Sequence, residues 1–420
     1  MTHAHEGRMA VTDPSELTPL EQHRRDVLTR VVPLEPIALG LIEAHGCVLA
    51  EDVIAPADIP AFANSAMDGY AVDSASIVPG DPVPLTGEIA AGAAGDQSVR
   101  PGTAVRIMTG APLPPGTDAV IPVELAEEKA GEVRFREEPQ RGDHVRPPGA
   151  DVRGGTQVLA GGRRLGAADV GMLAAIGRSS VMVRPKPRVA VISTGDELID
   201  IDAPLGQGKV RDSNSYMLTA MAREAGAQPH RSQPVPDNRR ALAEAFVGAM
   251  AHADLLVTSG GVSAGKFDFV KDVLAQLGDV QFRKVGMQPG MPQAFGFLSP
   301  GGGNAIPCFG LPGNPVSAYV SFEIFVRPAL RRLQGRSDLN RPRVTAMLEE
   351  DVTSPPHKVS FLRVKLRRDG PQWHARLTGP QGSQLLHSAV AADGLAEVPA
   401  DRTELSAGDT VLVHLLVGQQ

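Results

Sequence analysis

The residues best placed to do chemistry follow a short apolar run in the second half of the chain. Residues 255–257, Leu-Leu-Val, have the composition of a buried strand, and the turn SGGVS at residues 259–263 comes shortly after them. Glycines allow the backbone to approach a ligand closely, and a helix that starts after the turn would direct N–H groups and its positive dipole end to the same place. This pattern predicts an anion-binding turn; a tight turn that simply needs glycine is the alternative.

Two further segments combine glycine with hydroxyl or amide side chains near the ends of predicted elements. They are STGDEL at residues 193–198 and GLPGNPVSA at residues 310–318. Since ligands of open α/β sheets bind at the carboxyl ends of the strands, the three segments together predict a phosphate-bearing ligand at one sheet edge. G-x-x-x-x-G-K-[ST] is absent and no G-x-G-x-x-G opens a βαβ unit, which argues against an ordinary nucleoside triphosphatase or a dinucleotide-dependent dehydrogenase.

Acidic residues accompany the predicted phosphate site. Asp196 and Glu197 lie in the first of these loops, Asp237 lies in the turn VPDN, and Asp268 starts the helix that follows the SGGVS turn. Carboxylates beside a phosphate are unfavourable unless a hard cation such as Mg²⁺ neutralises them. The pattern therefore predicts a magnesium site, although helix capping is the alternative for each acid taken singly.

Composition excludes several classes of protein. The chain has 420 residues, 42% hydrophobic and 21% charged, with a formal net charge of −7, so no overall positive field favours nucleic acid or an acidic membrane. The two cysteines, Cys47 and Cys308, form no C-x-x-C pair, which indicates neither a disulfide framework nor a zinc module. The first residues lack the apolar core of a signal peptide and no run of about 18 apolar residues occurs, so we expect a cytoplasmic protein.

The periodicity of apolar residues places the candidate site in an α/β domain. Between residues 189 and 330, strand and helix patterns alternate, which predicts a parallel or mixed sheet with helices on both faces. Short β-type runs broken by Gly and Pro predict a small β domain before it, and similar runs after residue 340 predict a terminal β module.

Two helices are predicted near the start of the chain. Thr18, Pro19 and Glu21 fit a capping box with Thr18 as the N-cap, so a helix is expected through about Leu28, and a second helix is expected at residues 36–43. The expected organisation is a flexible terminus (1–15), a discontinuous helical and β linker domain (16–54 plus 148–184), a small β domain (55–147), the α/β domain (185–337) and a C-terminal β module (338–420).

Six motifs in the same order resemble those of the molybdopterin molybdenumtransferases, the MoeA family that includes the E domain of gephyrin. The resemblance covers nearly the whole chain, from about residue 17 to the final β module. The motifs are NSAMDGYAV, RIMTGAPLPPGTDAVIPVE, RPPGADV, VISTGDEL, TSGGVSAGKFDF and FGLPGNPVSA.

The resemblance implies a fold, an assembly and a reaction. It implies a multidomain α/β and β protein, with a central MogA-like molybdopterin-binding domain built on a mostly parallel sheet, an inserted small β domain and a C-terminal β-barrel-like module. It implies a homodimer whose active site is shared between subunits, and transient contact with the molybdopterin adenylyltransferase. The implied reaction inserts molybdate into the dithiolene of adenylylated molybdopterin, hydrolyses the pyrophosphate with the help of Mg²⁺ and releases AMP.

The resemblance also implies roles for individual residues. Catalytic roles are implied for six acidic and hydroxyl residues: Asp68, Thr109, Asp151, Glu197, Asp237 and Asp268. Of these, Glu197, Asp237 and Asp268 would also hold Mg²⁺. Asp68, Thr109, Arg146 and Asp151 would reach the cleft from the partner subunit. Substrate contacts would come from Arg146, Thr194, Gly195, Ser259, Gly260, Gly261, Ser263, Lys284, Pro312, Gly313 and Asn314.

One segment departs from the family pattern. Where the family often has K-P-G-K-P, this chain has Gln288 and Met291 in place of the two lysines, and only Lys284 is retained nearby. Either other cations, among them Lys266 and Arg146, suffice, or the chain is a paralogue with altered affinity or metal preference. A non-catalytic molybdopterin carrier or scaffold is a further alternative, and the sequence leaves open whether molybdate or tungstate is the substrate.

Overall fold

A computed structural model describes residues 16–93, 97–261, 269–299 and 305–416. In this part of the chain, no helix is both long enough and apolar enough to span a bilayer. The chain divides into two compact units. The first contains the described parts of Met1–Ile37, Gly46–Val48 and Arg184–Gln420, and the second contains those of Ala38–His45 and Leu49–Val183.

The helices and strands of the described ranges are numbered in chain order. The α-helices are α1 (Leu20–Arg30), α2 (Leu41–Ala44), α3 (Ala167–Ala175), α4 (Ser213–Glu224), α5 (Arg239–Met250), α6 (Phe269–Leu277), α7 (Pro315–Ser321), α8 (Arg327–Leu333) and α9 (Leu386–Val390). The strands are β1 (Ile37–Gly40), β2 (Val48–Leu49), β3 (Val53–Ile54), β4 (Asn64–Ser65), β5 (Gly69–Val72), β6 (Pro82–Ile89), β7 (Ala104–Ile107), β8 (Ala119–Pro122), β9 (Ala126–Lys129), β10 (Glu132–Phe135), β11 (Val145–Arg146), β12 (Gln157–Leu159), β13 (Ser180–Arg184), β14 (Arg188–Ser193), β15 (Leu198–Ile199), β16 (Val210–Arg211), β17 (Gln228–Arg231), β18 (Leu255–Ser259), β19 (Gly278–Lys284), β20 (Met287–Gln288), β21 (Pro292–Leu298), β22 (Ile306–Leu311), β23 (Arg343–Leu348), β24 (Val352–Thr353), β25 (Val359–Asp369), β26 (Gln372–Leu377), β27 (Gly394–Val398), β28 (Glu404–Leu405) and β29 (Thr410–Leu415).

The first unit contains the predicted α/β domain. Its six-stranded sheet has the order β17-β14-β18-β22-β21-β19, with parallel pairing from β17 to β22 and antiparallel pairing from β22 to β19. Along β14, Val189 and Val191 belong to one apolar cluster and Ala190 and Ile192 to another, so both faces of the sheet are covered. Continuous apolar strands are typical of sheets buried on both sides, and the mostly parallel arrangement confirms the prediction.

The C-terminal part of the first unit forms a closed β-barrel. Strands β25, β26, β23, β29 and β27 pair in that order, and β25 also pairs with β27, so the five strands form a ring. Closure leaves no unpaired edge within the ring. Val364, Val398 and Val413 are buried inside it. The predicted barrel-like module is confirmed.

A π-helical turn, Phe322–Val326, connects α7 to α8. Pro328 follows it at the start of α8, where its ring would clash with the carbonyl four residues earlier in a regular α-helix. The wider π-turn accommodates the proline, so residues 315–333 form one continuous helical segment.

The second unit contains a small six-stranded β-sheet. Its order is β8-β5-β7-β6-β10-β9, and β5 pairs antiparallel with both β7 and β8. Gly69 begins β5 at a place where a Cβ atom would lie 2.2 Å from the carbonyl oxygen of Ile121, so only glycine fits. Its pairing with Ile107 brings the residues before β5 close to those after β7.

Two local predictions near the start of the chain are wrong. Thr18 is not an N-cap, because its backbone pairs in a bridge with Val285; α1 starts at Leu20 with no side-chain cap and extends to Arg30. Residues 37–40 form strand β1, which pairs with β13, and only the four residues of α2 are helical. In both places, hydrogen bonds to distant segments outweigh local helix signals.

Candidate functional site

Four loops meet at the carboxyl edge of the parallel strands in the first unit. The backbone N–H of Thr194, after β14, donates to the carbonyl of Ser259 at the end of β18 over 3.0 Å. The N–H of Gly260 donates in turn to the carbonyl of Leu311 at the end of β22 over 3.1 Å. The loop after β17 joins them through a hydrogen bond of 3.2 Å from the N–H of Gly195 to the carbonyl of Val235. Parallel pairing thus brings loops distant in sequence to one edge.

A pocket of about 660 Å³ lies at this edge. The residues that line it come from the ends of β14 and β18 and the loops after β14, β17, β18 and β22, from the β15 and β16 segment, from the start of α4 and from Pro292 at the start of β21. Ten of the predicted site residues line it: Thr194, Gly195, Glu197, Asp237, Ser259, Gly260, Gly261, Pro312, Gly313 and Asn314. The structure therefore brings together one large part of the predicted site.

The glycine turn after β18 requires glycine at its first position. Gly260 has a φ of +100°, and a Cβ atom there would lie 2.5 Å from the carbonyl oxygen of Thr194. That separation is too short for a carbon and an oxygen that are not bonded. The turn therefore presents bare backbone to the pocket, as an anion-binding turn requires.

Glu197 and Asp237 bring two carboxylates to the pocket wall. Asp196 connects their loops, because its Oδ1 accepts a hydrogen bond of 3.0 Å from the backbone N–H of Asp237. Oxygen ligands of this type suit Mg²⁺, which is commonly held by one or two carboxylates together with substrate phosphates. Within the described ranges, no group of three or more His, Cys, Asp or Glu residues is placed to hold a metal.

Three residues of the sequence hypothesis lie outside the described residues. They are Ser263, Lys266 and Asp268. Asp268 is the third expected magnesium ligand, so its role stays a prediction.

The start of α4 supplies pocket residues that the sequence analysis did not identify. Asp212 caps the helix, its Oδ1 accepting from the N–H of Ser215 over 3.0 Å, and Asn214 hydrogen-bonds to Ser259 and Gly313. The sequence RDSNS contains a recognisable N-cap, but nothing local shows that it faces the glycine turns. Four buried oxygens of the lining residues have no hydrogen-bond partner among the described residues: Ser193 Oγ, Thr194 Oγ1, Asp212 Oδ2 and Asn214 Oδ1.

A loop of the C-terminal barrel contacts the rim of the pocket. The side chain of Asn314 donates to Ser383 Oγ over 3.0 Å, and the N–H of Val316 donates to the carbonyl of Ser383 over 3.0 Å. Next to this loop, Arg363 is buried and donates to Gly382 O and Ser388 Oγ. Burial lowers the pKa of its guanidinium to about 10.

The lysine expected to bind substrate is placed differently. Lys284 ends β19 and its ammonium pairs with Glu16 at 2.5 Å, and it is not among the residues that line the pocket. Gln288 lies in β20 and pairs with Ser360 of the barrel. Pro292, just after Met291, does line the pocket.

In the second unit, Asp68 and Thr109 contact each other. Asp68 Oδ1 accepts from the backbone N–H of Thr109 over 2.7 Å and from its hydroxyl over 2.8 Å. These bonds, first from the backbone and then from the hydroxyl, lower the pKa of Asp68. Both side chains are exposed, so the carboxylate is oriented, ionised and accessible.

Arg146 and Asp151 line a second cavity in the same unit. It has a volume of about 470 Å³, and Asn64 and Pro60 also line it. Asn64 is 6% exposed and its Oδ1 has no partner among the described residues. A guanidinium, a carboxylate and a buried amide therefore border one cavity.

Three family models match consecutive parts of the chain. The MoeA N-terminal region (domain I and II) matches residues 18–177, the "Probable molybdopterin binding domain" matches residues 190–332, and the MoeA C-terminal region (domain IV) matches residues 345–416. The second match covers the sheet and all the loops that meet at its carboxyl edge.

Whole-chain relatives and solved structures agree with these matches. The molybdopterin molybdenumtransferase 2 of Mycobacterium tuberculosis (strain H37Rv) is 41% identical over 405 residues, which cover 94% of this chain and 98% of the relative. The molybdopterin molybdenumtransferase of Haemophilus influenzae is 36% identical over 406 residues, covering 94% and 99%. The crystal structure of a MoeA molybdopterin biosynthesis protein from Pyrococcus horikoshii has a TM-score of 0.79 and 31% identity, and the match covers 96% of this chain and all of that one. This chain therefore belongs to the MoeA family of molybdopterin molybdenumtransferases.

Proposed function

We propose that this protein is a molybdopterin molybdenumtransferase that inserts molybdate into the dithiolene of adenylylated molybdopterin, hydrolyses the pyrophosphate in a Mg²⁺-dependent step and releases AMP. The observation that carries the proposal is the pocket of about 660 Å³ in the domain matched as molybdopterin-binding, where a glycine turn and two carboxylates border one cavity. A phosphate-bearing substrate and a divalent cation need this combination.

The pocket residues would have different roles, which follow from their chemistry. The turn formed by Ser259, Gly260 and Gly261 would let a phosphate approach the backbone closely; the N–H of Gly260 is not a donor to it, because it already donates to the carbonyl of Leu311. Glu197 and Asp237 would hold Mg²⁺, which when bound offsets the repulsion between pyrophosphate and molybdate. The substrate supplies its own sulfur atoms to molybdenum, so the reaction needs no cysteine from the protein.

We further propose a homodimer in which the second unit completes the site of the partner subunit. Asp68, Thr109, Arg146 and Asp151 would then meet the substrate of the neighbouring subunit. This proposal is supported by the contact between Thr109 and Asp68. Thr109 keeps the exposed Asp68 carboxylate ionised, so that it can orient water or an oxyanion. Transient contact with the molybdopterin adenylyltransferase would deliver a labile substrate.

The proposal is tested by AMP release. The purified protein, supplied with adenylylated molybdopterin, Mg²⁺ and molybdate, should release AMP only when molybdate is present. Glu197→Gln and Asp237→Asn should each lower turnover by a factor of about 100 or more, because each removes a charge that holds the cation. Glu244→Gln is the matched control, because Glu244 is exposed on α5 and pairs only with Arg240 among the ion pairs of the described residues. AMP release that does not depend on molybdate would contradict the proposal.

A non-catalytic carrier of molybdopterin is the second candidate. It is favoured by the replacement of two family lysines with Gln288 and Met291, which removes positive charge that could bind an oxyanion. A carrier would bind molybdopterin equally well in the wild type and in Asp68→Ala and Asp268→Ala, and none of the three would turn over. Comparing AMP release with molybdate and with tungstate in wild type and in Gln288→Lys/Met291→Lys would show whether these two residues alter the choice of metal.

A further inference from the structure

Asn214 joins three separate parts of the pocket wall. It lies in the first turn of α4, and its Nδ2 donates one hydrogen bond to Ser259 Oγ and one to the carbonyl of Gly313, each 2.8 Å long. Ser259 ends β18, and Gly313 lies in the loop that follows β22. One amide group thus connects the strand that carries the glycine turn to the loop on the other side of the pocket.

The geometry fixes the orientation of this amide. An NH₂ group has two hydrogens, and both are used. The Ser259 hydroxyl accepts from Asn214 and donates to the carbonyl of Pro312 over 3.3 Å, so it is committed as well. Ser259 is 2% exposed. The hydrogen bond to the buried Ser259 hydroxyl is costly to break because water does not readily replace the lost partner, whereas the hydrogen bond to Gly313 is exposed.

We infer that Asn214 is a positioning residue that sets the separation between the glycine turn after β18 and the Gly313 loop, and thereby the width of the pocket. The part of this inference that concerns substrate binding rests on the proposed function, since the glycine turn is the expected phosphate site. Both donor hydrogens of Asn214 are bound to Ser259 and Gly313, so its donors act through these two residues, while its Oδ1 has no hydrogen-bond partner among the described residues.

Two substitutions at Asn214 distinguish its hydrogen bond to Ser259 from its hydrogen bond to Gly313. Asn214→Ala removes both hydrogen bonds. Asn214→Asp keeps the shape of the side chain. The Ser259 hydroxyl can donate to the new carboxylate, but only by giving up its hydrogen bond to the Pro312 carbonyl, and the carboxylate oxygen that replaces Nδ2 then faces the Gly313 carbonyl, which lies 2.8 Å from Nδ2 in the wild type. Asn214→Asp should therefore release the Gly313 loop while the connection to Ser259 remains.

The first test needs no ligand. Hydrogen exchange by mass spectrometry should show Asn214→Ala exchanging at least about fivefold faster than wild type in peptides spanning residues 255–261 and 305–315, where the N–H of Gly260 donates to Leu311 O. Asn340→Ala is the matched control, because the Asn340 side chain also makes a long-range hydrogen bond, which it accepts from Arg24, but does not line the pocket. Unchanged exchange in both peptides of Asn214→Ala would overturn the inference.

The second test measures AMP release. Asn214→Ala should raise the KM for adenylylated molybdopterin about tenfold with a smaller change in kcat, because the phosphate site is misplaced rather than lost. Since Asn214 and Ser259 share one hydrogen bond, the double variant Asn214→Ala/Ser259→Ala should cost less than the sum of the two single effects. Fully additive effects would mean that Asn214 contacts substrate on its own and would refute the positioning role. If wild type releases no AMP, the proposed function fails, and hydrogen exchange still decides the positioning role.

Discussion

Thr109 directs two donors, its backbone N–H and its hydroxyl, to one oxygen of Asp68 over 2.7 and 2.8 Å. Gly69, which follows Asp68, begins β5, and Thr109 lies two residues after the end of β7, so antiparallel pairing of the two strands sets this contact. A carboxylate with one oxygen fixed by two donors keeps the lone pairs of its other oxygen for a ligand.

The first prediction concerns the protonation of Asp68. Thr109→Val removes the hydroxyl donor but keeps the backbone N–H, so the pKa of Asp68 should rise towards its ordinary range and yet remain below it. Because the folded pKa is lowered, this interaction favours the folded state above the ordinary pKa, and the benefit is lost as pH falls through the folded value. Carboxyl carbon NMR titration measures the shift. Thr109→Ser keeps the hydroxyl and should titrate like wild type; an unchanged pKa in Thr109→Val would contradict the assignment.

The second prediction tests the shared site. Asp68→Ala and Asp237→Ala should each be inactive, because each lacks one half of the proposed active site. If the halves come from different subunits, mixing the two variants under exchange conditions should restore about a quarter of the wild-type sites. AMP release measures the recovery.

Two controls accompany this mixing experiment. A mixture of two Asp68→Ala preparations should remain inactive, which excludes recovery by refolding alone. Mixed subunits that exchange, as shown by mass spectrometry of intact dimers, but regain no activity would show that each site is built within one subunit.

The third prediction concerns the glycine turn. Gly260→Ala should lower the free energy of unfolding by about 2–4 kcal/mol, since the added carbon lies 2.5 Å from the Thr194 carbonyl at a φ of +100°. Gly208→Ala is the control, because Gly208 also has a positive φ, +72°, but no atom lies within 4 Å of the added carbon. It should lose only about 1 kcal/mol. Urea unfolding followed by circular dichroism compares them, and equal losses would show that the contact with Thr194 is unimportant.

The fourth prediction is a pH dependence of stability. His23 of α1 is 2% exposed and packs edge-on against Phe325, and burial, followed by the charge of Arg283, lowers its pKa to about 4. Between about pH 4 and about pH 6.5 the unfolded chain therefore binds more protons than the folded chain. The free energy of unfolding should rise with pH across this window, by about 3 kcal/mol at most from this group.

Urea unfolding at several pH values within that window measures the effect. His23→Gln removes the titrating group, so its unfolding free energy should change less with pH than that of wild type. His252→Gln, at an exposed position, should behave like wild type. A pH dependence that is identical in His23→Gln and wild type would assign the effect to other groups.

Local patterns in the sequence determined much of the α/β domain. The continuous apolar strand at residues 255–257 and the glycines that follow it are recognisable because hydrophobic period and φ preference are properties of neighbouring residues. Glu197 and Asp237 are recognisable from the sequence as acids in loops, whereas their roles at the site were implied by the resemblance to the MoeA family. The helix boundaries near Thr18 were not predictable, because its backbone is committed to a partner more than 250 residues away, Val285.

The tertiary structure alone decided which side chains meet. Nothing near Asn214 in the sequence indicates that its amide binds Ser259 and Gly313, the second of which lies 99 residues away. Nor does it show that Thr109 would place both donors on a single oxygen of Asp68. Periodicity and propensity describe a residue and its neighbours along the chain, whereas these hydrogen bonds depend on strand order and register, which are set by packing across the whole sheet.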